Sequence, residues 1–239
     1  ELLSKEAERP DPQRSRREEA ARERAAKERE KRVEDALKNL EQVQAAKERQ
    51  KRRPTGKKVT EARASTTDPE ARIMKMADGG FRPAYNVQLS TDVESGVIVG
   101  IGVGNTGTDQ GEALGIEQQV AERTGQHPAE YLMDSGFINL EQIGEMERSG
   151  VAVYAPPKPG QEGPKTKDPP EIASWRARMR AAEGKEIYKQ RDGSAEWVNA
   201  QIKERHGLRH FNVRGLVRTT SVLLLVVIAH NLSRWMALL

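Results

Sequence analysis

Two carboxylates stand where a fold could put them to work. Asp134 follows the apolar triplet Tyr131-Leu132-Met133 and precedes Ser135-Gly136-Phe137. A buried strand there would deliver it to the carboxyl edge of a sheet, where open α/β sheets bind ligands. An Asp in that position is equally the residue of an Asx-turn or a helix N-cap. Glu196 lies in a polar, helix-like stretch, and Lys203 follows it seven residues later, two helical turns along. Asn199, Ala200 and Lys203 then share its face. An acid that takes a cation and an amine that takes an anion suit a site holding metal and phosphate together. The plainer reading is a solvated helix with incidental charges. Residues 203–216 interleave Lys203, Arg205, Arg209 and Arg214 with His, Phe and Gly. That mixture suits gripping a phosphate backbone, with Arg209 and Arg214 as guanidinium forks. Gly207 alternatively ends a helix whose last-turn cations suit its dipole.

Composition narrows the remaining chemistry. The 239 residues include no Cys and only four His. Disulfides, thiolate zinc sites and thiol nucleophiles are excluded, and a His-rich metal site is not supported. Residues 1–60 carry 19 Lys or Arg against 13 Asp or Glu, so the basic excess of the chain lies in that segment. The longest apolar run, 222–229, has eight residues. A spanning helix needs about 20, so the expectation is a protein with no membrane partner. The chain opens on Glu1 rather than Met, as expected of a piece of a longer reading frame.

The elements that must position these groups are legible in outline. Residues 16–53 hold no Pro or Gly, and acids and bases recur three and four apart, which supports a solvated helix. That segment is either an exposed arm or a basic arm touching nucleic-acid phosphate. Pro54 and Gly56 end it, and residues 59–83 read as irregular. Residues 85–91 alternate with period two and residues 97–103 follow a Glu94-Ser95-Gly96 turn, giving an antiparallel hairpin. A helix over 109–123, a strand at 131–133, a helix over 140–148 closed by Gly150 and a strand at 151–154 come next. Residues 155–170 form a Pro-rich loop, 171–190 and 195–205 are helical, and the apolar helix 217–238 must be buried. The expected fold class is mixed α/β, an antiparallel hairpin set on parallel strands. The expected domains are a charged helical arm, 1–60, and an α/β domain, 61–239.

Read together, these pieces are specific. Thr67-Asp68-Pro69-Glu70-Ala71-Arg72, Tyr85-Asn86-Val87-Gln88, Asp134-Ser135-Gly136-Phe137, Tyr188…Arg191…Glu196…Lys203, Gly207-Leu208-Arg209-His210-Phe211…Arg214-Gly215-Leu216 and Ala229-His230-Asn231-Leu232 occur in an order that resembles bacterial insertion-sequence transposases of the DDE class. The resemblance runs from about Thr66 to Leu239. It implies an RNase H-like mixed sheet with flanking helices that cleaves and joins DNA using two divalent ions, Mg²⁺ or Mn²⁺, held by two Asp and one Glu. Asp134 corresponds to the second Asp and Glu196 to the Glu. Tyr188, Arg191, Glu196 and Lys203 resemble the family's Tyr-(2)-Arg-(3)-Glu-(6)-Lys signature, except that four residues separate Arg191 from Glu196. No string in the chain matches the context of the family's first Asp. Asp92 follows a strand but matches the second strand of that fold.

The resemblance further implies double-stranded DNA as partner, namely the element's terminal inverted repeats, contacted by Tyr188, Arg191, Lys203, Arg205, Arg209 and Arg214. It implies a homodimer and a cytoplasmic, nucleoid-associated location. Paired ions about 3.5–4 Å apart clamp the attacking and leaving oxygens of a phosphoryl displacement, and two carboxylates clamp them poorly. The chain alone is therefore expected to be inactive or weak in cleavage. The rival readings are a non-catalytic DNA-binding or regulatory remnant and a scaffold assembled through residues 16–53.

Overall fold

The computed structural model describes residues 15–51, 61–76, 78–161 and 163–239. The chain divides into two compact units: residues 1–85 with 214–216, and residues 86–213 with 217–239.

In the first unit, α1 (Arg16–Lys51) fills the charged segment. Ser15 opens it: its amide donates to the Glu18 carboxylate at 2.9 Å, which fixes one of the orphan amides of the first turn. Lys27 and Glu23 pair at 2.7 Å one turn apart. Residues 59–83 are less irregular than the sequence suggests. β1 (Arg72–Lys75) and β2 (Phe81–Ala84) form an antiparallel hairpin. Pro83 and the Asp78-Gly79-Gly80 turn hide the period-two signal there, and each strand is only four residues long.

The Asp68-Pro69-Glu70 motif in this unit has a structural occupation. Asp68 Oδ2 accepts from the Tyr85 hydroxyl at 2.8 Å and from the Gly215 amide at 3.2 Å. The Leu216 amide donates to Glu70 Oε2 at 2.6 Å. Leu216 is the first residue of α7 (Leu216–Leu238), so two carboxylates meet the first amides of that helix, where the dipole favours negative charge. Burial and the Asp68 carboxylate push the Tyr85 hydroxyl well above its ordinary value.

The second unit carries β3 (Asn86–Thr91) and β4 (Ile98–Gly104) as an antiparallel hairpin. It continues with α2 (Ala113–Thr124), β5 (Glu130–Leu132), a 3₁₀ turn (Ser135–Phe137), α3 (Leu140–Arg148) and β6 (Ala152–Tyr154). α4 (Pro170–Arg180) and α5 (Ala182–Arg191) follow. β5 and β6 pair in parallel. Asn139 caps α3 by accepting from the Glu141 and Gln142 amides. Gly150 follows α3 at φ 87°, the left-handed conformation that suits glycine.

The observed α/β order matches the sequence reading, but the strands form three separate two-stranded sheets. A physical division underlies this within the second unit. β5, β6, α3 and α4 pack on one core, centred on Ile143, Met146, Val153 and Trp175. β3, β4 and α7 pack on another, centred on Ile98, Val198, Leu223 and Val227. β3 and β5 belong to different cores and do not pair; a cleft of about 760 Å³ runs between them. In the first core, Val153 N donates to Glu147 at 2.9 Å and Arg178 donates to Val153 O at 3.0 Å, which ties α3, β6 and α4 together.

The apolar helix is not buried throughout. Thr219, Leu223, Val227 and His230 of α7 face inward, while Leu225 is 67% exposed and Met236 70%. One face of a helix suffices to cover the hairpin, and among the described residues nothing covers the other. Judged by uninterrupted apolar runs no segment reaches spanning length, yet α7, at 23 residues with a mean hydropathy of 1.5, is long and apolar enough to cross a membrane by length and composition. Its inner face nonetheless carries polar groups bound to the hairpin. Asn231 accepts from Ile98 N at 2.9 Å and donates to Ile98 O at 2.8 Å, and His230 Nε2 lies 2.9 Å from Gly96 O.

Candidate active site

Asp134 ends β5 and precedes the 3₁₀ turn, so the strand presents its carboxylate at the cleft, as its position in the sequence suggests. Its backbone is extended, φ −68° and ψ 155°, and its side chain makes no N-cap bond. Asp134 thus stands at the N-cap position of the 3₁₀ turn without its side chain capping it. Ser135 Oγ donates to Asp134 Oδ1 at 3.2 Å, and Arg191 Nη2 donates to Oδ2 at 3.4 Å. Arg191 also reaches Asp192 at 3.3 Å. Tyr188, one turn before Arg191, is half-buried; burial raises the pKa of its hydroxyl, Arg191 holds it down, and Asp134 pushes it up again. The structure thus brings Asp134, Tyr188 and Arg191 together.

Glu196 sits on the same helical rod. The chain runs without a break from α5 through π-helical turns at Asp192–Glu196 and Gln201–Arg205, which flank α6 (Trp197–Ala200). The first π turn accounts for the unusual Arg191–Glu196 spacing. A π turn bonds i to i+5, so one extra residue fits into the helix, and such turns recur at functional sites. Arg191 and Glu196, five apart, stand in the relation that residues four apart hold in an α-helix. Gly193 weakens the α-helical alternative. Ser194 Oγ donates to Gln190 O at 3.1 Å and Arg191 O at 3.2 Å. Glu196 itself is exposed. The rod faces the cleft through Arg191, Ser194, Ala195 and Asn199, and Glu196 is not among the lining residues.

One carboxylate at the cleft was missed in the sequence. Asp109 accepts from Asn86 Nδ2 at 2.7 Å and Gln88 Nε2 at 2.9 Å. Its Oδ2 lies 3.7 Å from where a Cβ on Gly136 would stand, which sets it beside the turn that follows Asp134. The signal was the pair of amides two apart on β3, which point to one face and need a common acceptor. Gly102 gives Gln88 its room: a Cβ there would stand 2.7 Å from Gln88 Oε1.

The remaining basic candidates occupy separate places. Lys203 and Arg205 are exposed on the second π turn, and Arg209 pairs with Glu204. Arg214 is exposed and belongs to the first unit. Gly207, at φ 69°, ends the rod as the sequence suggests. Asp92 accepts from Ser95 N at 2.8 Å and from Ser95 Oγ at 2.6 Å, the bonds of a hairpin turn.

Among the described residues, no three His, Cys, Asp or Glu side chains gather into a group that could hold a metal ion. A magnesium ion wants near-octahedral oxygen ligation. The cleft offers Asp134, already paired with a guanidinium, and Asp109, whose Oδ1 is taken by two amides. As arranged, these residues do not fit a two-ion site.

Residues 168–236 match the family model of the transposase DDE domain. No curated protein and no solved structure matches the chain. The matched stretch takes in Tyr188, Arg191, Glu196 and Lys203, so the resemblance to DDE transposases stands over that stretch. The likeness over residues 168–236 suggests a function related to transposition.

Proposed function

We propose that the chain belongs to the DNA-cleaving and strand-joining domain of a bacterial insertion-sequence transposase, with an RNase H-like ancestry. Asp134, at the cleft, and Glu196, on the same helical rod but outside the cleft lining, are the two carboxylates assigned to its active site. One observation carries this reading: the helical rod inside the matched stretch sets Tyr188 and Arg191 against Asp134, a residue outside that stretch. Family match and strand-end carboxylate therefore point to one place.

In this reading the site needs a further carboxylate before it can hold Mg²⁺ or Mn²⁺ ions, and the chain alone is inactive or very weak in cleavage. Lys203, Arg205, Arg209 and Arg214, with Tyr188 and Arg191, contact the phosphates of the element's terminal inverted repeats. The protein works as a homodimer at the nucleoid of a bacterial cytoplasm. A non-catalytic DNA-binding remnant is the second reading, and the pairing of Asp134 with Arg191 favours it, since an ion-paired carboxylate is a poorer ligand.

Gel-shift and plasmid-nicking assays on the purified chain, with Mg²⁺ and a duplex carrying a terminal repeat, test this. The expected result is a shift that weakens with salt, with a log–log slope of roughly −4 to −5 for five cationic phosphate contacts, and no nicking above background. Robust nicking abolished by Asp134→Ala overturns the inactivity. Failure to bind the duplex even at low salt overturns the transposition reading.

A further inference from the structure

Only the second half of α1 is anchored on its unit. Ala36 is buried there, and Val33, Leu40 and Val43 are half-buried. Asn39 Nδ2 donates to Pro69 O at 2.8 Å, its Oδ1 accepts from Arg72 Nη2 at 3.3 Å, and Lys47 donates to Glu61 O at 2.5 Å. From Arg16 to Lys31, by contrast, every residue except Ala26 is exposed. At 1.5 Å per residue that half is a rod of about 24 Å. A helix without packing is marginal in water, and this one is held by local means. Ala20, Ala21, Ala25 and Ala26 have the best helix propensity. Ser15 and Glu18 bond each other reciprocally at the start. Glu23–Lys27 at 2.7 Å and Glu28–Arg32 at 3.1 Å pair across one turn.

The charges on the exposed rod are sorted by side. At about 100° per residue, Arg16, Arg17, Arg24, Lys27 and Lys31 fall within one sector of roughly 100°, shared only with Ala20. Glu19, Glu23 and Glu30 fall in a narrower sector beside it. Arg17, Arg24 and Lys31 recur every seven residues, and Lys38 continues the row. Successive cations therefore lie about 10.5 Å apart along a line that drifts by ~20° at each step. That line runs roughly opposite Val33, Ala36, Leu40 and Val43, so it faces away from the surface on which α1 sits. Arg17 and Lys31 make no ion pair among the described residues. Lys27 is held only by an exposed pair, which contributes little.

The chemistry of this face selects its partner. A second helix needs an apolar seam to bury, and between Arg16 and Lys31 the apolar side chains are all alanines. A lipid surface needs large apolar or aromatic groups on the side opposite the cations, and this half of α1 has none. A nucleic-acid backbone needs neither. Fixed cations displace its condensed counterions, and that attraction does not depend on base sequence.

We propose that the first half of α1 is a phosphate-gripping rail for duplex DNA, formed by Arg17, Arg24 and Lys31 with Arg16 and Lys27 beside them. The rail adds affinity without sequence preference, because its cations meet phosphates rather than base edges. The neighbouring row of Glu19, Glu23 and Glu30 repels the duplex and so keeps it to one side of the helix. Each contact steepens the salt dependence by about 0.9 in log–log slope, beyond the five cations counted above. The choice of DNA rests on the transposition reading; the choice of face rests on α1 alone.

Two matched double variants of the full chain test the rail. Arg17→Gln with Arg24→Gln and Arg22→Gln with Arg29→Gln each remove two exposed guanidinium groups seven residues apart, and only the side of the helix differs. Gln is nearly as good a helix former as Arg, and equal far-UV circular dichroism verifies the fold. Gel shifts on two duplexes of equal length and unrelated sequence are measured over about 50–200 mM salt. The Arg17/Arg24 variant is expected to make the slope shallower by about 2 and to weaken both duplexes alike. The Arg22/Arg29 variant is expected to change the slope by less than about 0.5. DNA binding by the parent with equal slopes for the two variants, or with no change in either, overturns the rail and leaves the transposition reading standing. Weakening confined to one duplex also overturns it, since that is base readout. No binding of either duplex by the parent overturns both. Sedimentation of the free chains covers the remaining case: a parent dimer that the Arg17/Arg24 variant dissociates gives the face to a second copy and overturns the proposal.

Discussion

Arg191 and Asp134, 57 residues apart in the chain, meet at 3.4 Å beside the end of β5, with the Tyr188 hydroxyl in their field. The pair is partly exposed, 25% for Arg191 and 53% for Asp134. Its effect on stability is therefore expected to be small, and its effect on the ionisation of its neighbour distinct.

Arg191→Gln removes the cation that holds the Tyr188 hydroxyl down, so that hydroxyl is expected to titrate at a higher pH than in the parent protein. Arg191→Lys restores part of the difference. NMR titration of ring-labelled tyrosine measures both, and Tyr188→Phe assigns the signal. Urea unfolding is expected to change by less than about 1 kcal/mol, the range of an exposed ion pair.

Asp109→Ala leaves the Asn86 and Gln88 amides without their shared acceptor. A loss of about 1–3 kcal/mol in urea unfolding is expected, the cost of buried donors left unmade. Asp109→Asn keeps a carbonyl acceptor and is expected to lose less. Equal losses for the two variants would show that the acceptor is not what matters.

Gly96→Ala strains the hairpin in two ways. The residue sits at φ 67°, and a Cβ would stand 2.9 Å from the Trp197 ring. Destabilisation of about 1–3 kcal/mol is expected for a non-glycine residue held there. The Trp fluorescence should shift, because Trp197 must move away from Arg234, whose guanidinium lies 4.9 Å from its ring centroid.

His206 is held below its ordinary value of 6.5, mainly by burial, with His230 and Arg205 reinforcing the shift. Its ring lies 5.6 Å from that of His230. The folded state thus binds this proton less readily than the unfolded state. The contribution is present above pH 6.5 and is lost as pH falls below that value through the folded pKa. Thermal unfolding from pH 7.5 to 5 is expected to show a decline that His206→Gln makes shallower. An identical profile for the variant would remove His206 as its source.

Elements with strong local signals were legible in the sequence. α3 was read at its observed bounds, because Ile143 and Met146 recur on one face and Gly150 follows. The site residues Asp134, Tyr188 and Arg191 were named from motif order, and the structure groups them. What escaped the sequence depends on pairing. Period two identifies β3 as a strand and a short apolar run identifies β5, but neither says that their facing edges stay apart. A spacing of five between Arg191 and Glu196 read as a departure from a motif, because an α-helical wheel contains no π turn. Composition alone places all of α7 in a core, since hydropathy does not say which side has a neighbour.

The carboxylates of Asp68 and Glu70 close a circuit of more than 140 residues by holding the amides of Gly215 and Leu216. Anyone shortening this polypeptide for expression meets that circuit first. A boundary drawn at residue 86, where the second unit begins, discards both anions and leaves the opening turn of the longest apolar helix facing solvent with bare amides. A boundary drawn before Thr67 retains both anions, and with them the anchor of α7.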